Sequence, residues 1–366
     1  QKYCTYVLPA GYRIEHGVQY WSIDEHGADG SLDYIIRVWN NDFRDRKGNY
    51  TITYADGTTK KVKDITATTI DDCVKPDGTP IDLDLRMDII YPSRPESEVP
   101  VMILASSAET RVDSWSASLR PHLTGYLFSG YAGVVYDHPY VPMARDDHYG
   151  YFDGTVTGHS AFTLMDYTGV KAQTAAIRRI RYLADAEPEK YKFNKDKFGG
   201  YGHSKGAWVY LLGLPHPELE DENSYFYGHH GETAPGVTQP WLTYKDGTPI
   251  PSNIQMVYMS HGGGRRMTGE GMAPTFISVG EADGDGVRDF LPNIVSNSRF
   301  YDVPSMAFTM PGVGHTIIYG YSEKYDVDMY QALFDFSHYY LKDDNAVCEY
   351  ITPLSGTKEF DVKDSI

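Results

Sequence analysis

Hydrophobic and polar positions alternate strictly from Asp82 to Ile89. Leu83, Leu85, Met87 and Ile89 fall on one side, and Asp82, Asp84, Arg86 and Asp88 on the other. A period of two puts each set on its own face, so the segment is predicted to be a strand with one buried face. Beyond it the pattern changes. Short continuous apolar runs recur at 101–105, 132–136, 198–202, 254–259, 275–279 and 306–310. Unbroken runs of this length suit strands covered on both sides, as in a parallel sheet. Helical spacing fills two of the gaps. Val170, Gln173, Ile177, Ile180 and Ala184 recur on one stripe, which directs Arg178, Arg179 and Arg181 elsewhere. Met329, Leu333, Phe336 and Tyr340 repeat the pattern near the end of the chain. Strands alternating with helices predict an α/β fold: a mostly parallel central sheet flanked by helices, with right-handed crossovers.

The first part of the chain reads differently. Residues 1–79 are predicted to be a β-rich N-terminal extension packed on a main domain of residues 80–366. Val18–Trp21, Tyr34–Trp39 and Tyr50–Tyr54 are aromatic or β-branched runs, and Asp56-Gly57 before Thr58–Val62 signals a hairpin. These strands form either a small accessory layer or extra edges of the main sheet. Two long polar stretches, at about 142–165 and 214–252, leave the carboxyl ends of predicted strands. Sites form at those ends, so both stretches are expected to be lid-like insertions or substrate walls.

Composition narrows the partners. With 366 residues, 41% of them hydrophobic, the chain can bury a large core. A formal net charge of −17 argues against nucleic acid and against anionic membrane surfaces. No apolar run approaches the ~20 residues of a membrane helix. The 31 tyrosines offer flat faces with polar tips, as a carbohydrate-facing enzyme would use. The chain begins at Gln1, which fits a removed leader, and a secreted or periplasmic location is expected. Cys4, Cys73 and Cys348 fit no zinc spacing; Cys4 with Cys73 is one possible bridge. The histidines, including His148, His159, His216, His229, His230 and His261, show no metal-binding spacing, so no metal and no cofactor is expected. Nothing in the sequence sets an oligomeric state.

The candidate chemistry centres on Gly202-His203-Ser204-Lys205-Gly206, which fits the G-x-S-x-G pattern. A strand-like segment, Lys197–Tyr201, precedes it, and an apolar helix start, Ala207–Leu212, follows. Strand, sharp turn and helix is the context of a nucleophile elbow. A serine hydroxyl needs a histidine base, and that base a carboxylate to orient it. Two later strands run into such residues. The strand at 274–279 leads to Gly280-Glu281-Ala282-Asp283-Gly284, and that at 306–310 leads to Pro311-Gly312-Val313-Gly314-His315. Asp283, Glu281 and Asp285 compete for the acid.

These residues, with the strand rhythm, resemble the α/β-hydrolase superfamily over residues 80–342. The stretch from Tyr167 through Gly206 is similar to its esterase and prolyl-oligopeptidase-like members. The resemblance implies Ser204 as nucleophile, His315 as general base and then acid, and Asp283 as orienting carboxylate. It also implies an oxyanion hole built from the backbone amides of Lys205 and Ser107, with Ser106 close behind. Families with a His-Gly pair there differ from the Ala105-Ser106-Ser107-Ala108 of this chain. The implied activity is acyl-enzyme cleavage of a small-molecule or carbohydrate ester. A prolyl-oligopeptidase-type peptidase is the alternative, although only about 80 residues precede the fold, too few for a propeller. A non-catalytic hydrolase-fold binding protein is a third reading. For substrate binding, Arg111, Arg265 and Arg266 are candidate carboxylate clamps, and Trp115, Trp208 and Trp241 candidate stacking surfaces.

Overall fold

The computed structural model describes residues 6–22, 51–54, 56–61, 73–74, 84–105, 120–137, 164–204, 206–207, 241–261, 273–283, 291, 295–296, 298–315, 320–322, 326–343, 357–361 and 364–365. Strand β1 spans Tyr12–Ser22. A hairpin of β2 (Thr51–Tyr54) and β3 (Thr59–Lys61) pairs with β4 (Cys73–Val74). Then follow β5 (Asp84–Pro92), β6 (Val99–Ala105), β7 (Ala132–Tyr136) and β8 (Phe193–His203). Strands β9 (Met256–Ser260), β10 (Thr275–Gly280) and β11 (Ser305–Met310) come next. The chain closes with β12 (Gly320–Ser322), β13 (Val327–Asp328), β14 (Thr357–Asp361) and β15 (Asp364–Ser365). Three helices matter here: α1 (Arg120–Phe128), α2 (Leu164–Ala186) and α3 (Met329–Leu341).

The main sheet has nine strands in the order β1-β5-β7-β6-β8-β9-β10-β11-β14. β1 and β5 run antiparallel to their neighbours, and every pairing from β7 to β14 is parallel. The fold is therefore α/β with a mostly parallel sheet. β1 is an edge strand of that sheet, whereas β2, β3 and β4 form a sheet of their own. Gly57 turns the hairpin with φ 84, and the Asp56 carboxylate accepts from the Thr58 amide and hydroxyl. The Tyr34–Trp39 segment, Cys4 and Cys348 lie outside the described residues.

Successive residues of the central strands serve two cores. Ile103 and Ile89 join the cluster beneath α2, while Leu104 and Ile90 join the cluster beneath α1 and α3. That double burial explains why these strands read as unbroken apolar runs.

Two expectations need correction. The strand at 84–92 is not polar on one face: Asp88 is fully buried. Its carboxylate accepts hydrogen bonds from the Tyr6 hydroxyl at 2.7 Å and the Gly17 amide at 2.9 Å, with His16 Nδ1 at 3.1 Å. The N-terminal segment covers that face and supplies the partners a buried carboxylate requires. The arginines of α2 also behave otherwise than spacing implies, because Arg178 and Arg181 are buried. Arg181 donates to the carbonyl oxygens of Lys195, Pro251 and Asn253, and Arg178 to that of Ile250. The strand β8 and the segment at 250–253 present main-chain oxygens to the helix, and a guanidinium can satisfy several at once. Trp241 is drawn into the same packing. It donates to the Tyr20 carbonyl at 2.7 Å and lies under the Arg179 guanidinium at 3.8 Å, so it is no free stacking surface. The described end of the 214–252 stretch thus braces α2.

Among the described residues, no helix is long and apolar enough to cross a membrane. What the fold contributes to chemistry is alignment. Strands β8, β9, β10 and β11 are consecutive neighbours running parallel, so their carboxyl ends open on one edge of the sheet.

Candidate active site

Ser204 follows β8 directly and has φ 54, in the left-handed region that a non-glycine residue rarely adopts. Its amide donates to the Ser260 carbonyl at 2.8 Å, which holds the turn against the neighbouring strand β9. Gly202 makes the turn possible. A Cβ there would lie 2.4 Å from the Gly206 carbonyl carbon and oxygen and 2.5 Å from the Ala207 nitrogen. Backbone cannot move aside as a flexible side chain can. Gly202→Ala is therefore expected to cost more than about 2 kcal/mol of stability, read as a lowered midpoint in urea unfolding. An unchanged midpoint would show that strand and helix are not packed this closely.

Asp283 and His315 come from the ends of β10 and β11. The two loops lie against each other. A Cβ at Gly280 would meet the Val313 oxygen at 2.2 Å and the Gly314 oxygen at 2.5 Å, so a glycine there lets the histidine loop close over the strand end. The Ala282 amide donates to the Val313 carbonyl at 2.9 Å. His315 Nδ1 lies 2.8 Å from Asp283 Oδ2, and His315 Nε2 lies 2.8 Å from Ser204 Oγ. The Asp283 side chain is fully buried and that of His315 is 33% exposed. A carboxylate only accepts, so the proton sits on Nδ1 and leaves Nε2 free to accept from the serine hydroxyl. Of the rival acids, Glu281 instead accepts from the Gly312 amide at 3.0 Å, on the turn before the histidine. Asp285 lies outside the described residues.

Two further histidines stand behind His315. His203, just before the serine, and His261, just after β9, both pack on His315, with ring centroids 5.4 and 5.8 Å away. Burial, reinforced by the charge of His315, pushes His203 down to about 4. Burial first, then the charges of His203 and His315, pushes His261 down to about 3, against a small opposing pull from the Gly314 backbone. Both rings are held neutral because desolvation penalises the charged form. Each folded value lies below the unfolded one near 6.5, so the unfolded chain binds protons first as pH falls. Stability is present above about pH 6.5 and is lost as pH falls through the window down to about 4 and then 3. The loss is about 3 kcal/mol for His203 alone. Urea unfolding at pH 7 and pH 4 is expected to show it, and a smaller acid loss in His203→Gln would assign it.

Sequence spacing brought Ser204, Asp283 and His315 to notice, and the structure places these three within hydrogen-bond distance. It adds His261 and Ser260, which spacing did not single out. A signal existed: both sit at the end of the run at 254–259, beside the elbow strand. Lys205, Ser106, Ser107, Arg111, Arg265, Arg266, Trp115 and Trp208 lie outside the described residues, as does most of the 142–165 and 214–252 stretches.

An α/β protein with an Asp–His–Ser chain at its strand ends, anchored on a buried aspartate, is the class that fold and geometry define. No family model and no curated protein matches the chain. Among solved structures it is similar to a thermophilic esterase from the planctomycete Thermogutta terrifontis, with TM-score 0.45 and 14% identity over 74% of this chain and 90% of that one. The butyrate-bound form of that esterase gives TM-score 0.46, 14% identity, and coverage of 74% and 92%. The form phosphorylated by paraoxon gives 0.44, 13%, and coverage of 74% and 92%.

Proposed function

We propose that this chain is a serine hydrolase of the α/β-hydrolase type that cleaves acyl esters, of carbohydrates or other alcohols, through an acyl-enzyme. One observation carries the reading: Ser204 Oγ, strained on its turn, lies 2.8 Å from the nitrogen of a histidine whose other nitrogen is fixed by a buried carboxylate.

The geometry supports the following steps. Ser204 Oγ attacks the ester carbonyl carbon while its proton passes to His315 Nε2. The imidazolium is stabilised by the Asp283 carboxylate at its Nδ1. The carbonyl oxygen becomes an oxyanion, for which we assign the backbone amides of Lys205 and Ser107. The tetrahedral intermediate collapses, the bond to the alcohol breaks, and His315 returns its proton to the leaving oxygen. Water then attacks the acyl-serine and gives a proton to His315. That proton returns to Ser204 Oγ as the acid departs.

A fluorophosphonate probe tests the reading. Wild type is expected to label on Ser204 and Ser204→Ala to stay unlabelled. Equal labelling of the two, or none of the wild type, overturns it. Turnover of p-nitrophenyl acetate is expected to exceed that of a dipeptidyl anilide, and the reverse would make the protein a peptidase.

A further inference from the structure

His203 and His261 take no part in the acyl-transfer steps, yet both are buried against the ring that does. We infer that His203, Ser260 and His261 form a positioning unit that sets the orientation of the His315 ring over Ser204, an inference that rests on the serine-hydrolase reading.

The Ser260 hydroxyl is fully buried between the two rings, 3.2 Å from His203 Nδ1 and 3.1 Å from His261 Nδ1. A hydroxyl has one proton to donate and lone pairs to accept with. It can donate to only one of the two rings, so at least one imidazole carries its proton on Nδ1 and donates to Ser260 Oγ. One residue thus locks both neighbours of the base. The same residue locks the nucleophile, because its carbonyl accepts from the Ser204 amide. The next amide, of His261, donates to the Ser278 carbonyl on β10, the strand that leads to Asp283. The end of β9 lies between the strands of the nucleophile and the acid and holds both.

His315 needs such support. A single contact at Nδ1 leaves the ring able to swing about that bond, and Nε2 would swing with it. The His261 ring meets His315 at an interplanar angle of 77°, and the His203 ring meets it at 40°. Two walls at different angles restrict that swing.

Filling space does not account for a histidine at 261. The residue is fully buried, its φ is 48, and its Nε2 has no hydrogen-bond partner among the described residues. An apolar ring would fill the volume without stranding a polar atom. The strained backbone and the stranded nitrogen are the kind of cost that persists where a site requires it.

The test uses the full chain and p-nitrophenyl acetate. His261→Phe keeps the bulk and removes both nitrogens. It is expected to lower kcat by about 10- to 100-fold with KM within about twofold, because a misplaced base slows chemistry more than binding. His261→Asn keeps a polar group near the Nδ1 position and is expected to restore most of the rate. Ser260→Ala is expected to match His261→Phe. The double variant is expected to be no slower than the worse single one, since both break one unit. Wild-type kcat in folded His261→Phe or Ser260→Ala, or losses that multiply in the double variant, would overturn the inference. If circular dichroism shows His261→Phe unfolded, Ser260→Ala and His261→Asn decide by the same criteria. A wild type that no fluorophosphonate labels would overturn the hydrolase reading itself, and the positioning role with it.

Discussion

Ser204→Ala is expected to lower kcat for an ester substrate by about 10⁴- to 10⁶-fold, leaving only what substrate binding and oxyanion stabilisation provide. The size follows from the covalent route. Without Oγ the proposed acyl-enzyme cannot form, and a water would have to attack directly. KM is expected to change little, because in the proposed mechanism Ser204 makes bonds rather than gripping the substrate. The substitution removes one oxygen from a partly exposed side chain, so the fold should persist. It also relieves no backbone strain, since alanine at φ 54 is no more comfortable than serine. Stopped-time hydrolysis assays with wild type and variant side by side check the prediction. A residual rate within about tenfold of wild type would mean that the hydrolytic nucleophile is another residue.

Asp283→Asn carries the second largest effect, a loss of about 10⁴-fold in kcat at neutral pH. The Asp283 side chain is fully buried and its Oδ2 lies 2.8 Å from His315 Nδ1. An amide can present an N–H to that nitrogen, which favours the opposite tautomer. His315 would then carry its proton on Nε2 and face the serine hydroxyl as a donor instead of an acceptor. The ring stays in place while its chemistry is reversed, so binding survives and turnover fails. Glu281→Gln is the matched comparison. Its carboxylate caps the Gly312 amide rather than touching His315, and its variant is expected to keep more than about a third of wild-type kcat. The opposite ranking in a steady-state assay would exchange the roles of the two acids.

The strands from 84 to 310 were legible because their burial is written in local pattern. A strand buried on both faces is apolar at most of its positions, and the run of residue types shows it. Asp88 shows where that logic fails. Its polar letter implied a wet face, but the Tyr6 hydroxyl and the Gly17 amide, over 70 residues away in sequence, supply its hydrogen bonds. The arginines of α2 fail in the same way. Helical spacing says which side of the helix they occupy, and nothing in the helix says that the carbonyl oxygens of 250–253 wait there. A charged residue reads as exposed unless its distant partners are known.

The site divides along the same line. The order serine, acid, histidine, each after a strand, was visible because strand ends and glycine-rich turns are local features. Which carboxylate faces the histidine was open among Glu281, Asp283 and Asp285, since all three leave the same strand. The register of β10 against β11 separates the two described ones, sending Asp283 inward and leaving Glu281 on the turn.

By itself, then, the sequence determined the class of fold, the strands at its centre and the candidate pair Ser204 and His315, since each depends on near neighbours in the chain. Only the tertiary structure decided that His203, Ser260 and His261 gather around His315. That cluster exists because β9 enters the sheet between β8 and β10. Adjacency of strands is set by how the whole chain packs, and no local period encodes it.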